Sequence, residues 1–269
     1  MIEKIFANEN ILDGTGRLLV AKGTQLSQKN LNKLKLLGIT HTFSNPTPTN
    51  EPSNQIDFDD SIFHQNLKLA RPDASKKATD ILHVLVFYSK DAPWNRHLSA
   101  LVNYTNWVYN NSLNVALLSL LLGVESGLCD AELHELALGA LLHDVGYILI
   151  PKNIILSSSK YDEPSRQVMQ QHCELGAIIL SDCQANESVI GIIRQHHERL
   201  DGSGYPHGLT NADICFNAKI VMIADTFISL TNDRPHRLAY SLEESLEIIY
   251  SDSELFDPVL LAMLKELLL

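Results

Sequence analysis

The sequence predicts a mostly α-helical protein, a helical bundle preceded by a small α+β module. Three observations predict it. Apolar residues recur at helical spacing from about residue 59 to the end, strand-like runs with turn signals are confined to the first 45 residues, and a polar, proline-rich stretch separates the two regions. At 269 residues the chain is long enough for one full-sized domain and a small one.

In residues 1–45, Ile11-Leu12 and Arg17-Leu18-Leu19-Val20 flank Asp13-Gly14-Thr15-Gly16, a hairpin signal. Ser27 is placed to cap a short helix through Leu37, with Leu31, Leu34 and Leu37 on one face; Gly38 ends it, and Ile39 to Phe43 return as a strand. Residues 46–58 read as a linker, rich in Pro, Asn, Ser and Thr. Residues 59–269 then read as one all-helical domain. Ile81 to Tyr88 is apolar and expected to be buried. Pro93 suits the first turn of a helix running through Leu98, Leu101 and Val108, and Leu113 to Val124, apolar nearly all round, suits a central core helix. Asp130 is placed to cap a helix ending at His143-Asp144, stopped by Gly146. Pro151 to Ser159 reads as a loop, Pro164 opens a helix through His172 and Ile179, and Val189 to His197 forms another. Ala218 to Thr231 follows, Ser241 with Glu244 is a capping-box pair, and Asp257-Pro258 opens the last helix.

A formal net charge of −11 argues against general affinity for DNA or for an anionic membrane, though not against one small anionic ligand in a local basic pocket. The longest strongly apolar run, Val115 to Val124, is about half of what spans a bilayer. Four scattered cysteines without a Cys-x-x-Cys pair suit buried reduced thiols, and the absence of an apolar leader at the N-terminus adds to the expectation of a cytoplasmic protein.

Chemistry concentrates in an ordered set: His143-Asp144, then His172, then His196-His197, then Asp225. A lone histidine on an apolar helix is more often a core or surface residue than a ligand, but six such residues in this order are hard to obtain by accident. Imidazole and carboxylate donors suit Mn, Fe, Co, Ni or Zn better than Ca or Mg. One carboxylate can bridge two metals, and a two-metal site serves in-line cleavage of phosphoesters.

Together, LLHDVG, the later QQH, HHERLDGSGYPHGL and IADTFISLTNDRPHR resemble the HD-GYP branch of the HD-domain phosphohydrolases over about residues 60–269. The resemblance implies a helical fold, two or three metals, often iron or manganese, and phosphodiesterase activity on cyclic di-GMP. It implies metal-ligand roles for His143, Asp144, His172, His196, His197 and Asp225, with Asp144 the bridge. It also implies nucleotide contacts from Gly204 and Tyr205, and phosphate or guanine contacts from Arg234 and Arg237.

The sequence departs from the family pattern at four places. Tyr147 stands where the family carries a lysine of the HDxGK motif, so a hydrogen-bond donor replaces a cation beside the scissile phosphate. Asn111 stands where an upstream histidine ligand is usual, Trp107 where three-metal members have a glutamate, and Ile228 where a second aspartate is usual. The expectation is therefore at most two divalent transition metals, Fe or Mn before Zn, Ni or Co. One is held by Asp144, His172, His196 and His197, the other less tightly by His143, Asp144, Asp225 and Asn111 or water. The leading reading is a cyclic di-GMP phosphodiesterase with Asp144 and Tyr147 at the reacting phosphate. The alternatives are a degenerate protein that binds cyclic di-GMP or a partner protein without turnover, and a phosphohydrolase of another nucleotide. A homodimer contact through the N-terminal module is a further expectation.

Overall fold

The computed structural model describes residues 5–7, 11–12, 18–20, 25–26, 43–44, 72–104, 106–156, 162–232 and 238–268. The chain divides into two compact units, Met1–Ile56 and Asp57–Leu269.

In the first unit, β1 (Ile5–Ala7) pairs antiparallel with both β4 (Gln25–Leu26) and β5 (Phe43–Ser44), and β2 (Ile11–Leu12) pairs with β3 (Leu18–Val20) as a separate hairpin. The hairpin lies where its turn signal predicts it. β1 and β4 were not legible, because two or three residues carry no measurable alternation. The expected helix from Ser27 to Leu37 and the linker 46–58 lie outside the described residues.

The named elements described in the second unit are helical: α1 (Pro72–His83), α2 (Asn95–Tyr104), α3 (Asn106–Glu125), α4 (Asp130–Leu142), α5 (Lys152–Ile155), α6 (Glu163–Gln170), α7 (His172–Asp182), α8 (Glu187–Gln195), α9 (Phe216–Thr231), α10 (Leu242–Ser251) and α11 (Pro258–Leu268). A 3-10 turn, Val145–Leu149, links α4 to α5. α3 packs against α1, α4 and α9, and α8 packs against α4, α7 and α9. Among the described helices α3 alone is long and apolar enough to cross a membrane, but Val115, Ala116, Leu118, Leu120, Leu121 and Leu122 are buried inside the protein, as a core helix requires.

Several boundaries differ from expectation, each for a local reason. Val108 belongs to α3, not to the helix opened near Pro93, because α2 ends at Tyr104. Residues 81–88 are not uniformly buried. Ile81, Leu82 and Leu85 face the core, while a π-helical turn at Val84–Tyr88 rotates Val84 and Tyr88 outward. Cys129, not Asp130, is the N-cap of α4, with its backbone N–H donating to Glu132 Oε2 at 2.8 Å. That cysteine is exposed and Cys215 is only partly buried, so the expected burial holds for Cys173 and Cys183 alone; all four are free thiols. A short helix, α5, occupies part of the segment expected to be a loop. The helix expected from Pro164 is two: Asp162 caps α6 by accepting from Ser165 N at 2.9 Å, and the chain turns at Gln171 to begin α7 at His172. The capping pair on α10 is present, with Ser241 N donating to Glu244 Oε2 at 2.8 Å and Glu244 N to Ser241 Oγ at 3.1 Å.

Candidate metal centre

Four segments meet at Asp144. The end of α4 delivers His143 and Asp144, the first residue of α7 is His172, the end of α8 delivers His196 and His197, and Asp225 projects from the middle of α9. His143, Asp144, His172, His196 and Asp225 are all buried. Three histidines are fixed in the same way. Nδ1 of His143, His172 and His196 each donates to the carbonyl oxygen three residues earlier (Ala140, Met169 and Ile193), at 2.7, 2.8 and 2.8 Å. With Nδ1 donating to a carbonyl, each Nε2 is aimed into the cluster, where it is a lone-pair donor whenever it carries no proton.

The Asp144 carboxylate divides between two groups. Oδ1 lies 3.4 Å from His172 Nε2 and 3.9 Å from His196 Nε2, whereas Oδ2 lies 3.2 Å from His143 Nε2. On the first side, one donor atom each from Asp144, His172, His196 and His197 lie within 4.8 Å of one another. On the second side, His143 Nε2 stands 3.7 Å from Asp225 Oδ1, which also accepts from Asn111 Nδ2 and Ser229 Oγ, each at 3.4 Å.

The cluster fits a divalent metal on its own geometry. Two imidazole nitrogens bound to one ion at about 2.0–2.1 Å with tetrahedral spacing stand about 3.4 Å apart, and His172 Nε2 and His196 Nε2 are 3.3 Å apart. His143 Nε2 and Asp144 Oδ1 are fully enclosed without a hydrogen-bond partner. Buried polar atoms without partners are costly, so one such enclosed atom on each side of the Asp144 carboxylate suits a bound cation.

Electrostatics separate the two sides. Burial alone would push the His143 imidazole down, but Asp144 and then Asp225 overcome it and hold its pKa up at about 9. Burial also opposes ionisation of Asp144, yet His143, His172 and His196 together hold that carboxyl well below the usual range. Burial, reinforced by the neighbouring imidazoles, pushes His196 and His197 well down, and burial lowers His172. At pH 7, then, the first side presents neutral nitrogens while His143 carries a proton. Loading metal on the His143 side is expected to release close to one proton at pH 7, and its affinity should climb with pH until about 9. Calorimetry of Mn²⁺ binding to stripped protein in two buffers of different ionisation enthalpy measures this. A proton count near zero for both metals contradicts it.

The glycine-rich loop after α8 is held against the cluster by a buried carboxylate. Glu198 Oε1 accepts from His207 N at 2.8 Å, and Oε2 accepts from Leu209 N at 2.9 Å. His207 Nε2 in turn meets Glu174 Oε1 at 2.9 Å, beside the Arg194–Glu174 pair at 3.1 Å. This places the Tyr205 ring on His197, with centroids 4.7 Å apart and planes 30° apart, and the Tyr205–Pro206 peptide is cis. A Cβ on Gly204 would collide with the Glu198 Cα and the Arg199 amide nitrogen. The glycine is thus required for backbone approach to the end of α8, whatever contact it makes with a ligand. Glu198 was quoted in the motif but its role was not foreseen; the signal was a carboxylate directly after two histidines at a helix end. Removing it in Glu198→Ala leaves two N–H groups without an acceptor and is expected to cost about 2–4 kcal/mol in chemical denaturation, with Glu198→Gln costing less.

Tyr147, expected as a hydrogen-bond donor at the reacting phosphate, and Asn111, expected as a weak metal ligand, both sit at the cluster. The Tyr147 ring lies against His172, with centroids 4.3 Å apart, and its hydroxyl points at Met169 Sδ, 3.8 Å away, within an apolar group that includes Leu101, Val108 and Ile155. Asn111 is buried and offers its Nδ2, not its Oδ1, toward Asp225. It therefore orients Asp225, and ligation would require the amide to be turned over. Ile228, one turn from Asp225, is fully buried in the core. Arg234 and Arg237 lie outside the described residues.

The sequence matches the HD domain family over residues 96–260, more than half of the chain. The chain belongs to the HD domain family. It is 38% identical over 141 residues to the cyclic di-GMP phosphodiesterase response regulator RpfG of Xanthomonas campestris pv. campestris, a match covering 51% of this chain and 37% of that protein. It is 31% identical over 170 residues to the cyclic di-GMP phosphodiesterase PA4108 of Pseudomonas aeruginosa, covering 61% of this chain and 41% of that protein. These matches span about two fifths of the length of either relative. Among solved structures, Bd1817, an HDG"Y"P protein from Bdellovibrio bacteriovorus, superimposes with a TM-score of 0.58 at 18% identity, covering 98% of this chain and 92% of that one. That likeness concerns the fold. This HD domain carries the His196-His197-Glu198 and Gly204-Tyr205-Pro206 signature, with the Tyr205 ring stacked on His197.

Proposed function

We propose that this HD domain protein is a metal-dependent phosphodiesterase of cyclic di-GMP or a closely related cyclic dinucleotide, giving a linear dinucleotide or GMP. The observation that carries the reading is the divided Asp144 carboxylate, one oxygen toward His172 and His196, the other toward His143. The relatives support the substrate class, since RpfG and PA4108 are both named cyclic di-GMP phosphodiesterases.

In this reading Asp144, His172, His196 and His197 hold one divalent ion, and His143, Asp144 and Asp225 hold a second, Fe or Mn in preference to Zn, Ni or Co. A metal held there would supply positive charge beside a phosphoryl oxygen and would lower the pKa of a water. The chain's own residues do the remaining work. The three Nδ1–carbonyl bonds fix the ligand rings before substrate arrives. Tyr205, stacked on His197, offers a ring face to a nucleobase at the rim of the cluster. Gly204 brings that loop close, and Arg234 and Arg237 add cationic contacts to phosphate or guanine. Asp144 stands at the reacting phosphate, and the Tyr147 ring forms a wall against His172.

Tyr147 and Asn111 favour a second reading, in which the site binds the dinucleotide without cleaving it. Neither brings a cation or an anionic ligand to the cluster. Incubating Mn- or Fe-loaded protein with cyclic di-GMP separates the two. Linear product that disappears in His143→Ala supports the enzyme, while micromolar binding with intact cyclic di-GMP supports the binder. A panel including other cyclic dinucleotides decides the substrate.

A further inference from the structure

Glu174 joins three parts of the site at its outer edge. It belongs to α7, the helix that begins at His172. Its Oε1 accepts from Arg194 Nε at 3.1 Å, a residue of α8, the helix that ends at His196. The same oxygen stands 2.9 Å from Nε2 of His207, a residue of the glycine-rich loop. The side chains of Arg194, Glu174 and His207 are 36%, 38% and 48% exposed, so water reaches this tie. An exposed charged pair contributes little to folding. Such a contact is better suited to orient a loop than to hold a domain together.

The loop it reaches is already narrowed in its freedom. Its base is closed by a bridge between Asp201 and Thr210, and Gly202 N donates to the Arg199 carbonyl oxygen at 2.9 Å. His207 is held twice, by its backbone N–H on the buried Glu198 carboxylate at 2.8 Å and by its side chain on Glu174. Two residues earlier, Tyr205 N donates to the His197 carbonyl oxygen at 3.1 Å, and the Tyr205 ring lies on the His197 ring. A continuous run of bonds thus leads from Glu174 through His207 to the turn that carries Tyr205. Glu174 itself faces Arg194 and His207, not the cluster around Asp144.

We propose that Glu174 is a positioning residue for the substrate. Through His207 it fixes the Gly204-Tyr205-Pro206 turn over His197, in the orientation that receives a nucleobase, and it takes no part in holding metal. What the turn receives rests on the phosphodiesterase reading above; the tie itself does not. The competing role is a surface ion pair that adds to stability alone.

The test uses the full chain loaded with Mn²⁺, with metal content measured on every sample. Hydrogen–deuterium exchange at Gly204 and Tyr205 reports the loop without any nucleotide. Calorimetry with a phosphorothioate analogue of cyclic di-GMP that resists cleavage reports affinity. In Glu174→Ala and in His207→Ala, loop exchange is expected to rise about three- to tenfold and affinity to fall about three- to fivefold, with metal content unchanged. The two residues form one tie, so the double variant should match either single one within about twofold. His207→Gln keeps a donor toward Glu174 and should return affinity to within about twofold of wild type. Arg194→Ala leaves the Glu174–His207 contact and should change affinity by less than about twofold, even where it lowers the melting temperature. Loop exchange that rises no more in Glu174→Ala than in Arg194→Ala overturns the proposal, as do additive losses in the double variant or a loss of metal in Glu174→Ala. A wild type that loads metal and does not bind the analogue overturns the phosphodiesterase reading, and the exchange measurement then decides the tie by itself.

Discussion

Asp144→Asn is expected to abolish turnover, by about a thousandfold or more, and to cost the protein bound metal on both sides of the cluster. The substitution is nearly isosteric, so the loss comes from charge and donor strength. Asp144 Oδ1 faces His172 and His196 while Oδ2 faces His143, and an amide cannot present an anionic oxygen to both. A second consequence separates this account from simple unfolding. Asp144 is the main group holding His143 up at about 9, so the His143 imidazole should titrate lower in the variant, as NMR of stripped protein can record. The stability sign follows. A raised histidine stabilises the fold below its unfolded pKa and loses that contribution as pH rises through 9, so stripped Asp144→Asn should lose the part of the wild-type stability that fades at alkaline pH. Retention of full metal content in the variant, measured by elemental analysis, contradicts the bridging role.

Gly146→Ala is expected to destabilise the domain by about 3 kcal/mol or more and to empty the centre of metal, although residue 146 is not itself a ligand. A Cβ there would overlap the carbonyl group of His172 and the amide nitrogen of Gly176. These are backbone atoms, which cannot rotate away as a side-chain tip can, so overpacking is relieved only by moving the Val145–Leu149 turn off α7. That movement separates His143 and Asp144 from His172. Denaturation curves with parallel metal analysis measure the two effects together. A stable variant that keeps its metal shows the contact to be softer than the structure implies.

Much of this architecture was legible because it follows from local chemistry. The long apolar run of α3 and the Ser241–Glu244 cap each declare themselves within a few residues. The six residues that gather around Asp144 were legible because their side-chain types are rare in apolar helices and recur in order. What the sequence concealed is set by tertiary contact. The break at Gln171, which makes His172 the first residue of a helix, leaves no composition signal. Whether Tyr147 aims its hydroxyl at the cluster or at Met169 depends on how the α4–α5 turn sits on α7. The same holds for Asn111, whose amide faces Asp225 from another helix 114 residues away in sequence. Glu198 was hidden for a different reason: its partners are backbone N–H groups, which every sequence has.

The most direct measurement of the central claim is product analysis after stripping the protein, reloading it with Mn²⁺ or Fe²⁺ and incubating it with cyclic di-GMP, with metal content determined on the same sample. The account predicts linear dinucleotide or GMP from wild type and none from Asp144→Asn. Fully loaded wild type that leaves cyclic di-GMP intact would contradict it.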